Sequence, residues 1–154
     1  MAEATLAIDQ GTSATKAVVV LADGSVAGLA EAPIEVHARP DGAVELDPEQ
    51  MWASVVAAGT QALAAAGNPT LAAVGLANQG ETVLAWERST GTPHGPAMVW
   101  QDRRAAEVCD RLAAHAPRLA HLTGLELDPY FVAPKVAWMR ERVPSNLKIG
   151  RAHV

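Results

Sequence analysis

The sequence predicts a mixed α/β fold, and three observations carry that reading. Apolar and β-branched runs alternate with helical stretches in the order β-β-β-α-β-β-β-α-α, the pattern of a mixed sheet with flanking helices. One of the helices opens and closes on clear punctuation. Three of the apolar runs stop at polar clusters, Asp9–Ser13, Asn78–Glu81 and Gln101–Arg104, and in open α/β sheets ligands bind outside the carboxyl ends of strands.

Thr5–Ile8 is the first apolar run, and Asp9–Ser13 behind it is turn chemistry. Lys16–Leu21 is β-branched, Asp23-Gly24 is a strong hairpin signal, and Val26–Glu35 reads as a third strand, so the chain opens as an antiparallel meander. Pro40, Asp41 and Gly42 make His37–Leu46 a loop. The next helix has Asp47 as N-cap, Pro48 at its first position and Gln50 at the capping-box position. Trp52, Val55, Val56, Gly59 and Leu63 recur at helical spacing as its buried face, and Gly67-Asn68-Pro69 ends it. Leu71–Ala77 is almost continuously apolar, as in a strand buried on both faces. Thr82–Glu87 and Ala97–Trp100 read as strands, with Ser89–Pro93 as a turn between them. A helix follows, with Asp102 as N-cap, Ala105, Val108, Cys109 and Leu112 inward, and Glu107 and Arg111 as an outer i,i+4 pair. Leu119–Leu122 is a short helical turn, Gly124–Asp128 a loop and Pro134–Arg142 the last helix.

Composition narrows the function classes. A chain of 154 residues has the length of one ordinary domain. With 49% hydrophobic and 19% charged residues it is not intrinsically disordered. Twelve Lys and Arg against 17 Asp and Glu give a net charge of −5, which argues against nucleic acid or an anionic membrane as partner. The one cysteine, Cys109, excludes an intrachain disulfide, suits a reducing compartment and reads as a buried structural thiol. No apolar run approaches the ~18 residues of a membrane span, and Met1–Thr5 lacks the charged start of a signal peptide. A cytoplasmic protein is expected.

The sharpest candidate site is Asp9-Gln-Gly-Thr-Ser-Ala-Thr-Lys16. Gly11 lets backbone approach a ligand, and Thr12 and Ser13 add hydroxyls beside backbone N–H groups, so the loop can cradle a phosphate. Lys16 adds a cation, and Asp9 at the strand end suits Mg²⁺ held through water. The same residues also make an ordinary hairpin turn. Asn78, Glu81 and Trp100 combine polar groups with an aromatic platform, which suits a polyhydroxy compound; on spacing alone, however, Trp100, Tyr130 and Phe131 read first as core, and Arg103 and Arg104 as a solvated first turn. The five histidines show no metal-ligand spacing, and neither a P-loop nor GxGxxG is present.

Five motifs occur in order: Asp9–Lys16, Glu45-Leu-Asp-Pro-Glu-Gln-Met-Trp52, Gly75-Leu-Ala-Asn-Gln-Gly-Glu-Thr82, Val99-Trp-Gln-Asp-Arg-Arg104 and Thr123–Phe131. Together they resemble the N-terminal region of the FGGY carbohydrate kinases, in particular its glycerol kinase branch, from about Leu6 to Arg142. The resemblance implies an actin-like, ribonuclease H-like fold and two domains closing over ATP, Mg²⁺ and a small polyol or sugar. The implied reaction moves the γ-phosphoryl group of ATP to a terminal hydroxyl, first of all that of glycerol. Erythritol, threitol or xylulose kinases and a non-catalytic nucleotide-binding module are the alternatives. On this resemblance Asp9 lies near the metal, Gly11, Thr12, Ser13 and Lys16 hold phosphate, and Glu81, Trp100 and Tyr130 contact the acceptor. Lys16 stands where some members carry arginine. Gly80 stands where the branch has an arginine that hydrogen-bonds the acceptor, and its absence weakens glycerol or makes room for a larger polyol.

The family's general base and purine-binding part fall beyond residue 154, so residues 1–147 are expected to be a partial, inactive N-terminal domain whose sheet has exposed apolar edges. The longer protein is open to homo-oligomerisation. Lys148-Ile-Gly-Arg-Ala-His-Val154 reads as a translated sequencing adapter, a non-native tail.

Overall fold

The computed structural model describes residues 3–142 and the backbone of 149–150. In chain order the elements are β1 (Glu3–Gln10), β2 (Ala14–Leu21), β3 (Val26–Pro33), β4 (His37–Ala38), β5 (Val44–Leu46), α1 (Pro48–Ala65), β6 (Thr70–Asn78), β7 (Trp86–Glu87), β8 (Ala97–Met98), α2 (Ala106–Leu112), α3 (Ala116–Thr123), α4 (Val132–Arg140) and β9 (Ile149–Gly150). They form two compact units: Met1–Val36 with Asp47–Gln79, and His37–Leu46 with Gly80–Val154. The expected tail, Lys148–Val154, lies outside the described residues except for the backbone of β9, which pairs with β7.

In the first unit a four-stranded sheet runs β3-β2-β1-β6, antiparallel through the meander and parallel between β1 and β6. Strict alternation turns Ala4, Leu6 and Ile8 of β1 to one face, where they join Ala17, Val19, Ala30 and Ala32 and meet Ala58 and Ala62 of α1. The buried side of α1 is made of small residues, Ser54, Ala58, Gly59 and Ala62. That corrects the expected face: Gly59 is buried and Val55 and Leu63 half-buried, but Trp52 is 65% and Val56 48% exposed. Close approach is the reason. A Cβ on Gly28 of β3 would lie 2.2 Å from the carbonyl oxygen of Ala62, so helix and sheet touch almost backbone to backbone. The hydroxyls of Thr15 and Ser54 meet at 2.6 Å and satisfy each other inside this contact.

The caps of α1 follow the sequence. Asp47 Oδ1 accepts from the N–H of Glu49 at 2.9 Å. At the other end Gly67, with φ of 75°, lets its N–H reach the carbonyl of Ala64 at 3.0 Å and that of Asn68 reach Leu63 at 2.9 Å, a Schellman closure. Gln50 does not complete a capping box; its Oε1 accepts from the N–H of Glu35 at 2.8 Å and ties the chain after β3 to the helix.

β6 is not buried on both faces. It sits at the sheet edge while α1 packs across β1, β2 and β3, and Val74 and Leu76 stay 61% and 66% exposed. The expected exposed apolar edge is there.

In the second unit, part of the expected loop His37–Leu46 pairs as β4 and β5, and β5 continues onto β8. The strand expected over Thr82–Glu87 reduces to a bridge between Val83 and Met98 and the short β7. Ala105, Val108 and Cys109 are buried as expected, whereas Leu112 is 37% exposed. Glu107 and Arg111 do not pair with each other: Arg111 bonds Glu141, and Glu107 bonds Arg142 at 2.5 Å, fastening α2 to the end of α4.

Candidate functional site

The turn Gly11–Ser13 joins β1 to β2, and register sets Asp9 directly opposite Lys16 and Gln10 opposite Thr15. The N–H of Gly11 donates to the carbonyl of Ala14 at 3.0 Å, and a Cβ on Gly11 would stand 2.9 Å from that oxygen. Gly11 is thus demanded by the turn itself. β1 and β6 are parallel and end side by side, Gln10 beside Asn78, so two of the three polar clusters meet at one sheet edge. Gln79 extends the pairing through its N–H to the carbonyl of Gln10 at 2.8 Å. Its side chain accepts from Thr12 Oγ1 at 3.0 Å and donates to the carbonyl of Gly11 at 3.1 Å, to which Gln10 Nε2 also donates at 2.7 Å. Asp9, Ser13 and Lys16 are exposed around this braced turn. An exposed carboxylate at a strand end, next to hydroxyls and an ammonium, fits Mg²⁺ held largely by water and phosphate oxygens. Among the described residues no group of three or more His, Cys, Asp or Glu forms a protein cage for a metal.

Gly80, Glu81, Trp100 and Tyr130 belong to the second unit. Glu81 has φ of 60°, a left-handed conformation that costs a non-glycine residue free energy. Its Oε2 accepts from the N–H of Val132 at 2.6 Å, which places a carboxylate on the N-terminal end of α4, where the helix dipole favours negative charge. The rings of Trp100 and Tyr130 meet edge to face, centroids 5.9 Å apart at 62°, and Tyr130 meets Phe131 at 5.1 Å and 86°. Trp100 and Phe131 are half-buried and Tyr130 is 40% exposed, so these aromatics wall a surface rather than fill a core. A Cβ on Gly80 would meet nothing within 4 Å: the position opens onto free space.

Asp102 is not the N-cap of α2, which starts at Ala106 with no side-chain cap. It is fully buried, and its Oδ2 accepts from the N–H of Val44 at 2.9 Å and from Arg104 Nη2 at 2.7 Å. Arg104 is not a solvated residue either. Its Nη2 also meets Glu45 Oε1 at 2.8 Å, and its guanidinium lies 4.8 Å from the Trp138 ring centre. Burial pulls the Arg104 pKa down, but the hydrogen bond and charge of Asp102, aided by Glu45, outweigh it and hold the value above the ordinary one. Arg103 is exposed as expected and bonds Asp128 at 3.2 Å. Desolvation pushes the Cys109 thiol up, consistent with an inert buried group.

Sequence reasoning missed Gln10 and Gln79, and it missed Lys135. Lys135 on α4 is completely buried, with Nζ donating to the carbonyl of Tyr130 and reaching that of Trp100 at 3.5 Å. No periodicity marks a lysine as buried.

The profile of the FGGY family of carbohydrate kinases, N-terminal domain, matches residues 4–152, and the chain belongs to that family. The glycerol kinase of Aromatoleum aromaticum is 47% identical over 151 residues, covering 96% of this chain and 30% of that protein. That of Nitrobacter hamburgensis is 44% identical over 143 residues, covering 90% and 28%. Among solved structures, Plasmodium falciparum glycerol kinase with ADP superposes with a TM-score of 0.81 at 26% identity, covering 93% of this chain and 29% of that one. A xylulose kinase from Rhodospirillum rubrum gives 0.83 at 20% identity, covering 93% and 30%, a likeness of fold alone. The mixed α/β class with flanking helices is that of these sugar kinases. The chain spans about 30% of the length of the curated relatives it matches.

Proposed function

We propose that these residues are the N-terminal, acceptor-binding part of an ATP-dependent polyol kinase of the cytoplasm, with glycerol as the first candidate acceptor and glycerol 3-phosphate as product. The observation that carries this reading is the convergence on the first turns of α4: Glu81 bonds Val132, and the carbonyls of Trp100 and Tyr130 face Lys135. A carboxylate held beside an aromatic wall suits a molecule with hydroxyls on one side and carbon on the other. The Asp9–Lys16 turn of the first unit is, by itself, suited to phosphate. Phosphoryl transfer needs positioning and charge neutralisation more than covalent catalysis. Thr12, Ser13, Gly11 and Lys16 would contact phosphate, and Asp9 would hold Mg²⁺ through water.

Open space at Gly80 favours a second reading, a kinase for a larger polyol or a ketose such as erythritol, threitol or xylulose. Alanine at Glu81, Trp100 or Tyr130 in the complete kinase should raise the acceptor KM at least tenfold while ATP KM stays within twofold. A non-catalytic nucleotide-binding module has no use for these side chains, and substitutions without effect on acceptor kinetics would favour it.

A further inference from the structure

Among the described residues, Lys135 is the largest fully buried side chain. An ammonium taken out of water is costly unless oxygen atoms replace its hydration. Here the oxygens are backbone carbonyls, those of Tyr130 and, at 3.5 Å, Trp100, and Nζ lies 5.8 Å from the Tyr130 ring centre. The two residues that own these carbonyls are two of the three whose rings form the aromatic wall. Lys135 sits one helical turn after Val132, whose N–H holds Glu81. The first turn of α4 therefore gathers one carboxylate and two aromatic residues that are 19 and 49 positions apart from Glu81 in the chain. A methionine would fill the same space and donate to neither carbonyl.

We propose that Lys135 is a positioning residue for the acceptor: its buried ammonium clamps the backbone of Trp100 and Tyr130 and so sets the wall against which the acceptor's carbon skeleton lies. This rests on the reading of Glu81, Trp100 and Tyr130 as the acceptor pocket. Acting through the backbone of Trp100 and Tyr130, Lys135 is expected to change acceptor binding rather than ATP binding.

The test compares Lys135→Met, Lys135→Gln and Lys135→Arg in the complete kinase, with glycerol and the larger polyols as acceptors. Lys135→Met should raise acceptor KM at least tenfold with ATP KM within twofold, and Lys135→Arg, which keeps charge and donors, should recover most of the loss. A purely structural lysine would instead lower the yield of folded enzyme and leave both KM values of the folded fraction unchanged. If Lys135→Met does not fold, Lys135→Gln is read in the same way. Unchanged acceptor KM in the folded variants overturns the proposal. Should the complete protein phosphorylate no polyol or sugar, the functional reading fails separately, and the clamp is then judged on that protein labelled with 3-fluorotyrosine, with Tyr130 assigned by the resonance lost in Tyr130→Phe. That resonance should move in Lys135→Met, and an unmoved resonance overturns the clamp.

Discussion

Gly80 is the residue at which specificity is most open to test. Nothing stands within 4 Å of a Cβ built there, so the Cβ of Gly80→Arg meets no neighbour. An added charged donor is worth about 1.5–3 kcal/mol when it bonds a buried hydroxyl. Glycerol KM in the complete kinase should therefore fall about tenfold or more, and turnover of larger polyols should fall with it. An unchanged glycerol KM would mean that Gly80 does not face the acceptor. Lys135 makes a different prediction. Burial holds it below the ordinary lysine value of 10.5, against the opposing charges of Glu81, Asp102 and Asp128. In the alkaline window just under 10.5 the unfolded chain then binds more protons than the folded one, so stability rises as pH climbs through it. Urea titrations across that window should show the rise in the parent and its loss in Lys135→Met; parallel curves would contradict it. Lys135 was hidden in the sequence because a lysine on a short helix reads as a solvated face, and only the carbonyls of Trp100 and Tyr130 reveal otherwise. Asp102, expected as an N-cap, and Arg104, expected in solvent, owe their burial to partners far away in sequence, Val44 and Glu45.

At the scale of elements, α1 shows what local chemistry can and cannot say. Its ends were legible because Asp47-Pro48 and Gly67-Asn68 satisfy orphan helix groups within a few residues, whatever the rest of the chain does. Its buried face was not, because alanine and glycine carry little apolar contrast while Trp52 and Val56, which do, face outward. The contact that decides the face is Gly28 against Ala62. Gly28→Ala would place a Cβ against helix backbone that has no flexible side chain to yield. It should destabilise the chain by about 1–3 kcal/mol or more, measured by chemical denaturation; a neutral result would mean that α1 rides higher on the sheet. β4 and β5 escaped detection because strands of two and three residues have no measurable period.

On the scale of the whole molecule, the order of strands and helices was readable, since each apolar run and each breaker acts locally. The environment of β6 was not. A run such as Leu71–Ala77 looks the same whether other elements cover it or not, and here Val74 and Leu76 are open. The chain matches only 30% of the length of its Aromatoleum aromaticum relative, so the proposed polyol kinase activity is one of the complete protein. Its most direct test is ATP-dependent phosphoryl transfer by that protein to a panel of glycerol, erythritol, threitol and xylulose, with product followed by ³¹P NMR. A phosphomonoester on a terminal hydroxyl of at least one of these acceptors is expected, with kcat/KM lowered at least tenfold by Glu81→Ala. ATP binding without transfer to any acceptor, or transfer indifferent to Glu81, would contradict that expectation.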